Sequence, residues 1–294
     1  VLKRTINFIK YRWIAFGFSL TLFAVFTSFT VYNGGMVMGV DFVGGVKIIA
    51  KFSQGIDEEK IRTALKDFNP SVQQIGSSEN NEYIVSTKLE SGKETSLKES
   101  EKLKAALTEK FAGVEFRSVE NVGPAVGSFL KRSALKLSIV AIVLMMVYLS
   151  FRFEFKYSLG VMAALMHDII ITTAFVGFAR VEFNIPVVAA LLTIFGFSVN
   201  DTIVIFDRVR ENLQNETTKV NYLDLVNRSI TETMSRTILT TLTVIFSVLS
   251  LYLLGGEGLN DFAKVLLFGL FVGTYSTVYL ASPVLVAMEK LTSK

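Results

Sequence analysis

The chain contains no cysteine and a single histidine in 294 residues. Without cysteine there can be no disulfide framework, no thiolate nucleophile and no cysteine-ligated metal site. No nucleophile–base set, metal-ligand cluster or phosphate-binding loop is present, so an enzyme is not expected. Neither glycine-rich stretch has the strand–loop–helix setting of a nucleotide site. The net charge of +4 is what Lys and Arg at the cytoplasmic ends of membrane spans produce, and no nucleic-acid partner is expected. Hydrophobic residues, by contrast, are abundant. They make up 51% of the chain, with 25 Phe, and the mean hydropathy is +0.47. Prolonged apolar runs, rather than richness alone, place the chain in the membrane class.

A spanning helix needs about 20 mostly apolar residues. Six segments qualify: Trp13 to Tyr32, Ala134 to Phe151, Tyr157 to Ala179, Pro186 to Phe206, Arg236 to Leu254 and Phe262 to Val286. The first has no small-residue cleavage pattern, so it is expected to remain as an anchor. Lys and Arg set the orientation. Lys3, Arg4, Lys10 and Arg12 precede the first span. Arg152 and Lys156 lie between the second and third, and Arg208, Arg210, Lys219 and Arg228 between the fourth and fifth. Lys290 and Lys294 follow the sixth. Both termini are therefore expected in the cytoplasm of a multi-pass membrane protein. Lys131 and Arg132 fall on the opposite side, beside a long loop where the rule is weak.

The expected organisation is residues 1–32 as N-terminus and first span, 33–132 as an extracytoplasmic domain, and 133–294 as five further spans. In the outer domain, "GVKIIAKF", "VQQIGS", "EYIVSTK" and "GVEFRSVENV" read as strands. "DEEKIRTALKDF" reads as a helix capped by Asp57, with Ile61, Leu65 and Phe68 on one face. "LKESEKLKAALTEKF" reads as a second, with Leu97, Leu103, Leu107 and Phe111 on one side. The order βαββαβ is the ferredoxin-like split arrangement. "LESGKETS", Leu89 to Ser96, reads as a flexible connection. The fold class is thus an α-helical membrane protein of six spans with an extracytoplasmic α+β ferredoxin-like domain between spans one and two.

Two acids stand inside the spans. A charge at the bilayer centre costs about 2.5–3.5 kcal/mol on insertion scales and usually faces a partner. Asp168 in "MHDIIIT" lies about 17 Å along the third span. Asp201 in "FGFSVNDTIVIFDRVRE" lies about 9 Å from the charged end of the fourth, with Asn200 beside it. The fifth span opens "SRTILTTLT", and Arg236 is expected at a depth Asp201 could share. Thr237, Thr240, Thr241 and Thr243 climb the same helix as a polar track. A carboxylate beside an arginine that can move away is a proton switch: paired, it stays ionised; unpaired and desolvated, it takes a proton. A static ion pair is the competing reading. Asp168 could instead bond a neighbouring backbone, and His167 reads as a packed core histidine. "GVDFVGG" (Gly39, Asp41, Gly44, Gly45) and "VGPAVG" (Gly123, Pro124, Gly127) read as close backbone packing where the domain meets the membrane, with Asp41 as a turn or cap.

The stretches "GVDFVGG", "VGPAVG", "ALMHDIIIT", "FGFSVNDTIVIFDRVREN" and "SRTILTTLT…LYLLGG", in this order, resemble the SecF family of bacterial protein-export membrane subunits, within the RND superfamily. The resemblance covers nearly the whole chain. It implies pairing with SecD into a twelve-span unit that associates with the SecYEG channel and YajC. That unit would use the proton motive force to draw unfolded preprotein outward after SecA has pushed it through. It implies no cofactor, with protons as coupling ion and membrane lipid around the spans. Asp201 and Arg236 match the family's proton path, and Asp168 matches its "HD" acid. An exporter subunit for lipids or small molecules, or a passive translocon scaffold, are the alternatives.

Overall fold

A computed structural model describes residues 6–53, 55–75, 81–88, 96–216 and 221–292. Lys3, Arg4, Lys219, Lys294, the end of "VQQIGS" and the connection "LESGKET" lie outside these. Among the described residues, six helical stretches are long and apolar enough to cross a membrane, as expected of a multi-pass membrane protein. They contain α1 (Arg12–Tyr32), α5 (Pro124–Arg152), α6 (Phe155–Phe178), α7 (Ile185–Asn215), α8 (Tyr222–Leu254), and α9 (Glu257–Ser276) continuing into α10 (Ser282–Thr292).

Several helices outrun the apolar windows. α5 begins at Pro124, ten residues before the expected start, so the helix enters the stretch read as the end of the outer domain. Proline is well suited to a first helical turn, where its missing N–H has no partner to lose. α8 begins at Tyr222, where the Asn221 side chain accepts from Leu223 N–H at 3.2 Å. Hydropathy detects the membrane part of a helix and misses its polar extension. α9 and α10 are joined by a π-helical turn, Thr277–Ala281. Pro283 has no N–H to give to Tyr279, which frees that carbonyl and loosens the turn before it. The Ser282 hydroxyl donates to the Thr277 carbonyl at 3.1 Å.

Between α1 and α5 lies the α+β domain, with a short α2 (Val40–Val43), β1 (Gly45–Lys51), α3 (Glu58–Ala64), β2 (Ser71–Ile75), β3 (Glu82–Lys88), α4 (Ser96–Lys110) and β4 (Glu115–Val122). The strand order is β2-β3-β1-β4, all pairs antiparallel. β1 and β2 run the same way with β3 between them, which is the split βαβ topology. Val46, Ile48 and Ala50 alternate onto one face of β1 and meet Ile61, Leu65, Leu103 and Leu107 of the helices. Each large side chain buried there stabilises the domain by about 1.5–3 kcal/mol. Two expectations fail locally. Leu97 is exposed in the first turn of α4. Asp57 occupies the cap position of α3, yet its side chain makes no capping bond.

The domain is clamped to the bundle. The Gly39 N–H donates to the Phe183 carbonyl at 3.0 Å, and the Phe183 N–H to the Val37 carbonyl at 2.7 Å. Asp41 Oδ2 accepts from Ile185 N–H at 3.1 Å, so this acid caps the first turn of α7 from across the interface.

Candidate functional site

The bundle core is formed where α6, α7 and α9 pack together, and small residues set how close they come. A Cβ on Gly269 would lie 2.1 Å from Ile194 Cδ1, and one on Gly273 would lie 3.2 Å from Ser198 Cβ. Small residues at such seams allow backbones to approach closely and hydroxyls to bond across. On α7, Ser198, Asp201 and Thr202 fall three and four residues apart, so one face carries all three to the seam.

Asp168 of α6 is 1% exposed. Its Oδ2 accepts from Ser198 Oγ at 2.5 Å and Ser276 Oγ at 2.8 Å. Its Oδ1 lies 2.9 Å from His167 Nδ1, and His167 Nε2 lies 2.8 Å from Ser19 Oγ on α1. Ser19 continues to the Tyr275 hydroxyl at 3.4 Å, which donates to the Ala15 carbonyl. His167 is therefore a bridge in a polar chain through α1, α6, α7 and α9, which corrects its reading as a packed core residue. The carboxylate bonds side chains of neighbouring helices, not a backbone group.

Asp201 of α7 is 2% exposed. Its Oδ2 accepts from Thr241 Oγ1 of α8 at 3.5 Å, and Thr241 lies 3.1 Å from Thr274 of α9. Next along α7, Thr202 meets Thr277 at 3.0 Å. Two polar clusters thus flank one α7–α9 seam, each centred on a buried carboxylate. Among the described residues, neither acid forms an ion pair with Lys or Arg; the only charged-type partner is His167 at Asp168.

Other expected site residues are placed differently. Arg236 is exposed and makes no ion pair with Asp201, and Asn200 is exposed on α7. The helical phase explains both. Thr237 and Thr241 share the buried face of α8, so Arg236, about 100° away from Thr237, points off it. Thr240 and Thr243 bond carbonyls of their own helix, while Thr237 Oγ1 is buried without a partner. The inward hydroxyls are thus Thr237 and Thr241, not the 240–243 track. Ser19, Ser198, Thr274, Tyr275, Ser276 and Thr277 went unnoticed in the sequence. The cue available was the hydroxyl run "GTYST" (Gly273 to Thr277) inside an otherwise apolar span.

The glycine stretches sit at the junction. Gly44 has φ +87°, in the left-handed region. A Cβ on Gly45 would lie 2.1 Å from the Thr87 carbonyl oxygen, one on Gly127 3.0 Å from Gly44 N, and one on Gly39 3.0 Å from Asn184 Cβ. Gly123 is the exception: open space surrounds it, and it precedes Pro124 at the start of α5. At the far end from the sheet, charges are paired: Arg208 with Glu211 and Glu232, and Arg152 with Asp207.

The profile of the family described as "Protein export membrane protein SecD/SecF, C-terminal" matches residues 102–291. The "Protein translocase subunit SecF" of Calditerrivibrio nitroreducens is 40% identical over 276 residues, covering 91% of this chain and 89% of that protein. The chain belongs to the SecF family. The SecF subunit of Rickettsia felis is 36% identical over 96% of this chain and 92% of its own length. A solved structure of SecDF from Thermus thermophilus, described as a translocon-associated membrane protein, superposes with a TM-score of 0.83 at 32% identity. That match covers 99% of this chain and 39% of the SecDF chain, so this SecF chain spans about two fifths of its length.

Proposed function

We propose that this SecF chain is a proton-driven accessory subunit of the Sec protein translocase, acting with a SecD partner late in preprotein export. The observation that carries the proposal is the pair of buried carboxylates, Asp168 and Asp201, bonded to hydroxyls of neighbouring helices with no Lys or Arg on either. Acids at membrane depth that lack a fixed counter-ion are the groups that exchange protons. A proton crossing the membrane potential releases about 2.3 kcal/mol per 100 mV, enough to bias a two-state helix arrangement. In this reading Asp201 is the coupling acid and Asp168 its neighbour in the relay, while Thr237 and Thr241 line the approach on α8. No further cofactor is needed.

The need for a partner half is supported by the exposed polar groups. Asn200 and Arg236 stand on exposed faces of the neighbouring helices α7 and α8. A cation at that depth is costly against lipid, and SecD, which shares a chain with SecF in SecDF, is the natural cover. Arg236 lies within electrostatic range of Asp201 without pairing with it, and a shift of the halves closes the pair, which makes it a movable counter-ion. Both termini lie in the cytoplasm in this reading. The sheet domain stands outside, near preprotein emerging from SecYEG after SecA has acted, with YajC as a further associate.

The test is Asp201→Asn in SecD-paired vesicles. Proton conductance is expected to be lost while assembly with SecD is retained. Unchanged conductance, with export intact, would leave a passive scaffold.

A further inference from the structure

The helix α5 is fastened to the rest of the molecule near its two ends. Of its 29 residues only Gly127 and Leu149 are buried. Gly127 seats on the backbone of Phe42 and Gly44, and Leu149 enters the bundle core. Between these two pins Ile142 and Met145 touch the core, and on the side toward Gly127 the helix leaves a groove of about 220 Å³ against α6 and α7. Its walls are apolar, with Leu135 and Ile142 of α5 facing Phe183, Leu192 and Phe195. Lys131 sits at its rim, on the sheet-domain side. Arg132 and Lys136 lie beside it on α5, and all three are exposed. Among the described residues no ion pair reaches any of them. Lys131 and Arg132 are also among the cations that run against the orientation pattern of the spans.

We propose that this groove is a binding site for one anionic phospholipid, with an acyl chain between α5 and the α6–α7 face and its phosphate on Lys131 and Arg132. Polarity selects the occupant. Apolar walls take a hydrocarbon chain, and unpaired cations at the mouth take a phosphate. The lipid fills the gap that protein contacts leave along the outer half of α5, and it accounts for basic residues on the side where the orientation rule does not place them.

The experiment is native mass spectrometry of the full chain released from detergent after incubation with phosphatidylglycerol or phosphatidylcholine. One phosphatidylglycerol is expected to be retained in preference. Each cation removed is expected to weaken that retention about fivefold, so Lys131→Gln with Arg132→Gln weakens it about 25-fold. Leu192→Trp, which fills the groove and spares the cations, is expected to evict the lipid. Equal retention of both lipids, or undiminished phosphatidylglycerol on either variant, overturns the proposal. Displacement of the lipid when a second six-span subunit is added assigns the groove to that subunit and overturns it too.

Discussion

Replacing Ser276 with alanine removes one of the two hydroxyls that donate to Asp168 Oδ2, at 2.8 Å, and leaves the backbone alone. A hydrogen bond to a charged acceptor is worth about 1.5–3 kcal/mol, against about 0.5–1.5 kcal/mol between neutral groups. If Asp168 is held as a carboxylate, the variant loses the larger amount. One kcal/mol moves the midpoint of a chain this size by about 2–4 °C, so the expected fall is about 3–12 °C. The assay is thermal unfolding of the full chain in detergent. The control is the same substitution in an Asp168→Asn background, where the acceptor is neutral. There Ser276→Ala is expected to cost about 0.5–1.5 kcal/mol, which leaves a coupling of about 1–1.5 kcal/mol in the double-mutant cycle. Strict additivity would refute the reasoning, because the hydroxyl would then be stabilising something other than charge. Ser198→Ala, at 2.5 Å, gives an independent repeat of the cycle.

Gly269→Ala is expected to destabilise the bundle by about 1–3 kcal/mol, because its Cβ would fall 2.1 Å from Ile194 Cδ1. Combined with Ile194→Ala it is expected to cost clearly less than the sum, and thermal midpoints measure both. Leu103→Ala empties a fully buried position in the sheet domain. It is expected to cost about 2–5 kcal/mol, read as protease sensitivity confined to the sheet domain with the spanning helices still protected.

The fold was largely legible in the sequence because its signals are local and periodic. Val46, Ile48 and Ala50 alternate on β1, and six apolar runs have spanning length. Burial of the two acids was legible for the same reason. Their partners were not, because a hydroxyl such as Ser198 or Ser276 looks the same in sequence whether it bonds its own helix or a carboxylate across a seam. Arg236 shows the opposite limit. Its charge is conspicuous, but its direction depends on helical phase, which is set by packing against α9. His167 gives no such cue in the sequence, because its bridging role needs Ser19, 148 residues away on α1, as well as its neighbour Asp168 on α6.

The last strand of the sheet passes into α5 across Gly123 alone. A rod of 29 residues is about 43 Å long, and turning it by about 5° carries one tip about 4 Å. The strand is hydrogen-bonded into the sheet along its length, so a tilt of the rod would be passed to the sheet through that single residue. Eight residues of strand span about 26 Å, and the same 5° would move the strand's far tip by about 2 Å.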